Sequence, residues 1–145
     1  MAHLEQRILI RTDLNLVPGL VTAQVAHLHA ECMRNHILHG EDGNPTNEVQ
    51  ISYTGLKDWL AEPYVFVHGV SNPELLDLYI EKAKDTVPVY KWSDTVYIEP
   101  SAGNKMVLDN VLIGAAFGPD SSDDIKSLGI AQLDLLWQRI PEITG

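Results

Sequence analysis

Apolar and polar positions repeat with two different periods along this 145-residue chain, and the changes of period mark its elements. The run Arg7-Ile-Leu-Ile10 reads as a buried strand. Pro18-Gly19 is a turn signal, and a helix is predicted from about Leu20 to His39, with Gly40 as its stop. Placed at about 100° per residue, Val21, Val25, Leu28 and Cys32 fall on one side of this helix. Ala23, Ala26, Ala30, Met33 and Ile37 fall on the other, with Gln24, His27, Glu31, Arg34 and Asn35 as a polar stripe between them. The small alanines predict the side pressed on a sheet.

Glu41 to Glu48 is a polar, turn-rich loop, and a short helix is expected after it, packing through Leu56, Trp59 and Leu60. Pro63 to His68 reads as the second strand, aromatic and β-branched. The next helix has the clearest signature: Asn72 as N-cap, Pro73 at the first position, then Leu75, Leu76, Tyr79, Ile80 and Ala83 at helical spacing. Pro88 to Asp94 is the third strand and runs into Thr95 to Glu99. Val107 to Phe117 is the fourth, ended by Gly118-Pro119, with Gly114 and two alanines leaving room for close packing. A last helix is capped by Ser121 or Ser122 and carries Ile125, Leu128, Leu133, Leu136 and Trp137. The tail from Pro141 is expected to be loose.

This order predicts a single α/β domain over residues 1–145, a three-layer α/β/α fold. Its mixed four-stranded sheet has three parallel strands, joined through helices, and one antiparallel strand after a turn.

Composition narrows the function. Twenty acids against ten bases give a formal charge of -10, which argues against a nucleic-acid partner, since phosphate binding calls for clustered bases. The single cysteine, Cys32, excludes an intrachain disulfide. No apolar run reaches the roughly 20 residues of a membrane span, and the first residues lack a signal-peptide core. A cytoplasmic protein is expected.

Strand ends followed by helix starts gather ligands in α/β proteins. Asp13 and Asn15 leave the first strand there, Gly19 opens the helix with free amides, and Gln24 and His27 form the polar stripe of its first turns. Asp94 and Thr95, in Trp92-Ser-Asp-Thr-Val-Tyr97, are expected at the same edge of the sheet. His27 has the unperturbed pKa of a general base, and also suits a structural role at a helix–sheet seam. Asp94 and Thr95 equally suit an ordinary solvated turn. A bare helix start favours a small anionic guest, which Asp13 and Asp94 would oppose. His29, Cys32, His36 and His39 share a helix side but span about 15 Å at 1.5 Å per residue, so they cannot converge on one ion. No metal or cofactor is expected: Gly19 stands alone, without phosphate-loop or dinucleotide spacing.

Arg11-Thr-Asp-Leu-Asn-Leu-Val-Pro-Gly-Leu-Val-Thr-Ala-Gln-Val-Ala-His27 resembles the opening of the type-II peptidyl-tRNA hydrolase family. That pattern is a strand, R-x-D-L, a Gly- and Lys-rich loop, and a helix beginning x-A-A-Q-x-x-H. Arg11, Asp13, Leu14, Gly19, Ala23, Gln24 and His27 match. The resemblance extends through Pro73 to Lys84, the Ala116-Phe-Gly-Pro119 strand end and the last helix. It implies the same fold, tRNA as partner, and hydrolysis of the ester between a peptide and the terminal ribose of tRNA. The family's loop lysine, held to be catalytic, corresponds to Leu20 here, and Asn15 and Pro18 stand at neighbouring loop positions. The family's D-A-G-x-T motif has Asp and Thr four apart, whereas Asp94 and Thr95 are adjacent. Two functions stay open: a hydrolase with a rebuilt or degenerate site, in which Asp13, His27, Asp94 and Thr95 act on the ester, or a non-catalytic binding module. A second copy of the chain stays open as a further partner.

Overall fold

The apolar run Ile8-Leu-Ile10 forms the core of β1 (Leu4–Arg11), the middle strand of the sheet, and is buried on both faces. The structure is a computed structural model and describes residues 3–16, 18–39, 59–61 and 63–139. After β1 come α1 (Pro18–His39), β2 (Tyr64–Val70), α2 (Pro73–Ala83), β3 (Val89–Ser101) and β4 (Asn104–Ser121). A short α3 (Ser122–Lys126), a 3₁₀ turn (Ile130–Gln132) and β5 (Leu135–Arg139) close the chain. The expected polar loop at 41–48 and the tail from Pro141 lie outside the described residues, as does most of the helix expected before Leu60.

The sheet has five strands in the order β3-β4-β1-β2-β5, one more than the sequence predicts. β1 and β2 pair in parallel, and every other neighbouring pair is antiparallel. β1, β2 and β3 therefore run one way and β4 the other, as expected, with β5 as a second reversed strand. β5 replaces the second half of the predicted last helix. Leu133, Leu136 and Trp137 have helical spacing, but β2 would otherwise present an unpaired row of backbone groups. Pairing Val65 to His68 with Arg139 to Leu135 satisfies that row. The short helix capped by Ser121 and the 3₁₀ turn are what stay helical, and the Ser121 hydroxyl accepts from the Asp124 amide at 3.2 Å.

β4 does not stop at Gly118-Pro119. Gly118 takes φ +95° and donates its amide to the Pro88 carbonyl at 2.8 Å, which ends pairing with β3. Pairing with β1 resumes at Asp120 and Ser121. Gly114 is needed where β4 crosses β1, since a Cβ there would run into the Leu9 carbonyl.

Helices cover both faces. Leu9, Val89, Ala115 and Phe117 pack against Leu76 and Ala83 of α2 and against Ile125, Leu128 and Ile130. On the other face Ile8, Ile10, Val67, Tyr90 and Ala116 meet Leu28 and Cys32 of α1. The alanine side of α1 is therefore not the sheet side: Ala26 and Ala30 are exposed and Ala23 is half-buried. Facing the sheet with Val21, Val25, Leu28 and Cys32 removes more apolar area from water than facing it with three methyl groups. Leu60 is exposed, contrary to its expected packing role, while Trp59 is buried and donates its indole N–H to the Tyr64 carbonyl at 3.2 Å.

Candidate polar site between the first helix and the third strand

The carboxyl end of β1 turns through Thr12 to Leu16 into α1. Leu14 is buried with Val96 and Ile113, which pins this loop under the β3–β4 ribbon. Arg11 holds it from the other side. Its Nε and Nη2 donate to the two oxygens of Asp13 at 3.1 and 2.7 Å, and its Nη1 donates to the Leu112 carbonyl of β4 at 3.1 Å. Both oxygens of Asp13 are thus engaged by one guanidinium. Asn15 completes the turn at φ +52°, a left-handed conformation that asparagine tolerates better than most residues.

α1 starts at Pro18, two residues earlier than the spacing suggests, so Gly19 belongs to its first turn. Pro18 suits the first helical position because its missing N–H has no partner to lose. The first turn carries no acidic residue, leaving the positive helix end uncompensated by side chains of that turn.

One turn further, Gln24 is buried and its Nε2 donates to Asp94 Oδ2 at 3.2 Å. His27 stacks on Trp92 with ring centroids 4.6 Å apart and planes 17° apart. The polar stripe of α1 therefore meets β3 at two residues of one strand face, Trp92 and Asp94. This segment is not a strand end: β3 continues to Ser101, and its register with β4 shifts between Trp92 and Ser93 and again between Asp94 and Val96. Thr95, the next residue along the strand, is engaged by β4 instead. Thr95 Oγ1 donates to Asp109 Oδ1 at 2.7 Å and accepts from the Asn110 amide at 3.2 Å. Asp94 Oδ1 accepts from the Thr95 amide at 2.8 Å. The structure thus joins Gln24 to Asp94 and His27 to Trp92, whereas Asp13 is bound to Arg11 and Thr95 to β4.

Two buried atoms at this seam have no hydrogen-bond partner among the described residues: Gln24 Oε1, an acceptor, and Trp92 Nε1, a donor. Such orphans are costly, roughly 1–3 kcal/mol each when nothing pairs with them, so their gathering beside a carboxylate marks this seam.

Cys32 lies deeper in the same layer. Burial pushes its thiol up to about 12, against the lowering effect of hydrogen bonds from Tyr90 and Gln6. Fully buried between Leu28, Tyr90 and the sheet, this thiol packs as a core residue.

A cleft of about 760 Å³ opens on the opposite flank of α1, between α1, the end of β1 and β5. Sequence reasoning missed it, because it depends on β5 being a strand.

A mixed sheet between helical layers, with a polar seam where a strand-end loop enters a helix, defines a three-layer α/β protein. The family model for peptidyl-tRNA hydrolase PTH2 matches residues 4–136. The chain belongs to that family. The comparison with curated proteins gives no match.

Proposed function

We propose that this chain is a peptidyl-tRNA hydrolase-like protein whose ester-cleaving site is degenerate: it lies between α1 and β3 and works without the loop lysine. The Gln24–Asp94 bond carries this reading, since it joins the family's helix motif to the strand segment where the family keeps its Asp and Thr. Ester hydrolysis needs an activated water and donors for the developing oxyanion. In this proposal Asp94, oriented by Gln24, and His27, held flat on Trp92, receive and pass the water's proton. The amides beginning at Gly19 face the oxyanion. Asp13 and Asn15 shape the loop through Arg11 and the left-handed turn, and Thr95 fixes the β3–β4 register beside Asp94. Leu20 offers no cation where the family has lysine. The loss of one oxyanion donor costs about 10²–10³ in rate.

A specific observation favours a second reading, a binding module that cleaves nothing: Asp13 and Thr95 are both engaged elsewhere, by Arg11 and Asp109.

Hydrolysis of N-acetyl-aminoacyl-tRNA by the purified protein decides between them. The expected turnover is at least about a hundredfold below that of a lysine-bearing family member, falls further in Asp94→Asn and His27→Ala, and rises about tenfold or more in Leu20→Lys. Full family-level turnover by the wild type would show that the site is not degenerate. No turnover by wild type or Leu20→Lys would leave only the binding reading.

A further inference from the structure

From the cleft beside α1 we infer a second subsite, one that receives the apolar acyl part of an N-acylated aminoacyl ester. The inference rests on the hydrolase-like reading above for the identity of the guest, and on the cleft itself for its chemistry. Val21 and Val25 form one wall, Val67 and Ile10 the floor, and Leu136 and Trp137 of β5 the other wall. About 760 Å³ is within the usual range of small-molecule sites, roughly 300–1,000 Å³, and holds a large side chain together with its amide groups. Thr12, Asn15 and Thr22 add a few hydrogen-bonding groups to a surface that is otherwise hydrocarbon.

Charge decides which end of the ester enters. Arg11 is the one ionisable residue among the described residues lining the cleft, and its guanidinium is spent on Asp13 and the Leu112 carbonyl. The chain as a whole carries a formal charge of -10. A nucleotide phosphate would find no free cation among the described residues of this lining, whereas the hydrocarbon of an uncharged acyl group gains on leaving water and its few amide groups need only the polar groups at the rim. Position agrees. The loop from Arg11 to Leu16 lines the cleft and also leads into the helix that carries Gln24 and His27, so the two sites flank one helix end. Trp137 is half-exposed on an edge strand, a costly place for the largest apolar side chain unless something covers it.

The test is an NMR titration of the full chain, which needs no turnover. N-acetyl-phenylalaninamide should shift Trp137 and the Val21, Val25 and Val67 methyls, with N-acetylglycinamide at least tenfold weaker and AMP without effect on them. Trp137→Ala should weaken the phenylalanine probe about tenfold while the rest of the spectrum stays unchanged, the scale of one lost aromatic contact. Thr22→Trp, which fills the rim from an exposed position, should weaken it as well. Equal affinity for the two acyl probes, or AMP shifting the same methyls, would overturn the subsite. A protein that binds the probe and cleaves nothing supports the subsite and defeats only the catalytic reading.

Discussion

His68 and His27 occupy seams on opposite faces of one sheet, and their surroundings differ in kind. His68 lies in β2, buried on the α2 side. Arg7 Nη1 donates to its Nε2 at 2.8 Å, and its Nδ1 donates to the Leu133 carbonyl at 3.2 Å, so the ring is neutral and its tautomer fixed. Arg7 is neutralised in turn by Glu5, whose carboxylate lies 3.0 Å from Nε, and it sits 3.9 Å from the centre of the Phe66 ring. Every charge in that seam has an opposite within reach. His27 lies on α1, exposed, with an aromatic stack on one side. Among the described residues Asp94 accepts from the Gln24 side-chain amide and the Thr95 backbone amide, and Gln24 and Trp92 each keep an unpaired atom. A network whose charges cancel inside it holds strands together. In the closed seam Glu5 Oε2 and Arg7 Nε lack a hydrogen bond but face each other as opposite charges. Gln24 Oε1 and Trp92 Nε1 are buried with neither a hydrogen bond nor a counter-charge among the described residues, which leaves room for a group that arrives.

The largest effect should come from opening the closed seam. Arg7→Ala would strand the Glu5 carboxylate, which is 3% exposed, and remove the donor to His68. Breaking a buried pair from one side costs about 3–5 kcal/mol. Chemical denaturation should show a loss of that size, against less than about 1 kcal/mol for Asp94→Asn in the open seam. Similar losses for both variants would erase the distinction between the seams.

A smaller effect separates them by pH. Burial holds His68 below its ordinary value, and the neighbouring Arg7 adds to this against the opposing Leu133 carbonyl. Below about pH 6.5 the unfolded chain binds a proton at this residue that the folded chain resists. Stability should therefore fall as pH drops from about 6.5 toward the lowered folded value, by at most about 1.4 kcal/mol per pH unit for one proton. His68→Gln should flatten that slope between pH 7 and 5.5. A slope unchanged by the substitution would place the titration elsewhere.

The fold was readable where local chemistry and tertiary packing agree. Asn72 caps α2 as its position suggests, accepting from the Leu75 amide at 2.7 Å, and the predicted Leu76 and Ala83 face is the buried one. β5 was not readable, because five residues with helical spacing become a strand only through the unmet backbone of β2, some seventy positions earlier. The cleft was hidden with it. At the candidate site, Gln24 and Asp94 were legible as polar residues that the topology brings to one edge, and they do touch. Thr95 was not, because its partner Asp109 depends on two register shifts between β3 and β4 that no local pattern announces. The Arg11 clamp on Asp13 was open to inspection as two opposite charges two residues apart. Its third bond, to the Leu112 carbonyl, needed the β1–β4 pairing.

The smallest effect tests the orientation of α1, on which the open seam depends. If Ala26 faced the sheet, as three alanines in register suggest, Ala26→Leu would force extra methylenes into a packed layer and cost about 1–3 kcal/mol. In the structure that layer is filled from the other side of the helix by Leu28 and Cys32, both fully buried against Ile8, Ile10 and Tyr90. Ala26 faces water. Leucine and alanine have similar helix propensities, and a single exposed substitution shifts stability by no more than about 0.5 kcal/mol. A melt of Ala26→Leu should therefore overlay that of the wild type, while Leu28→Ala should lose about 2–5 kcal/mol. The rotation that buries Leu28 also sets Gln24 against Asp94 and His27 against Trp92. A destabilised Ala26→Leu would mean that α1 is turned about its axis, and the contacts of the open seam would fall with it.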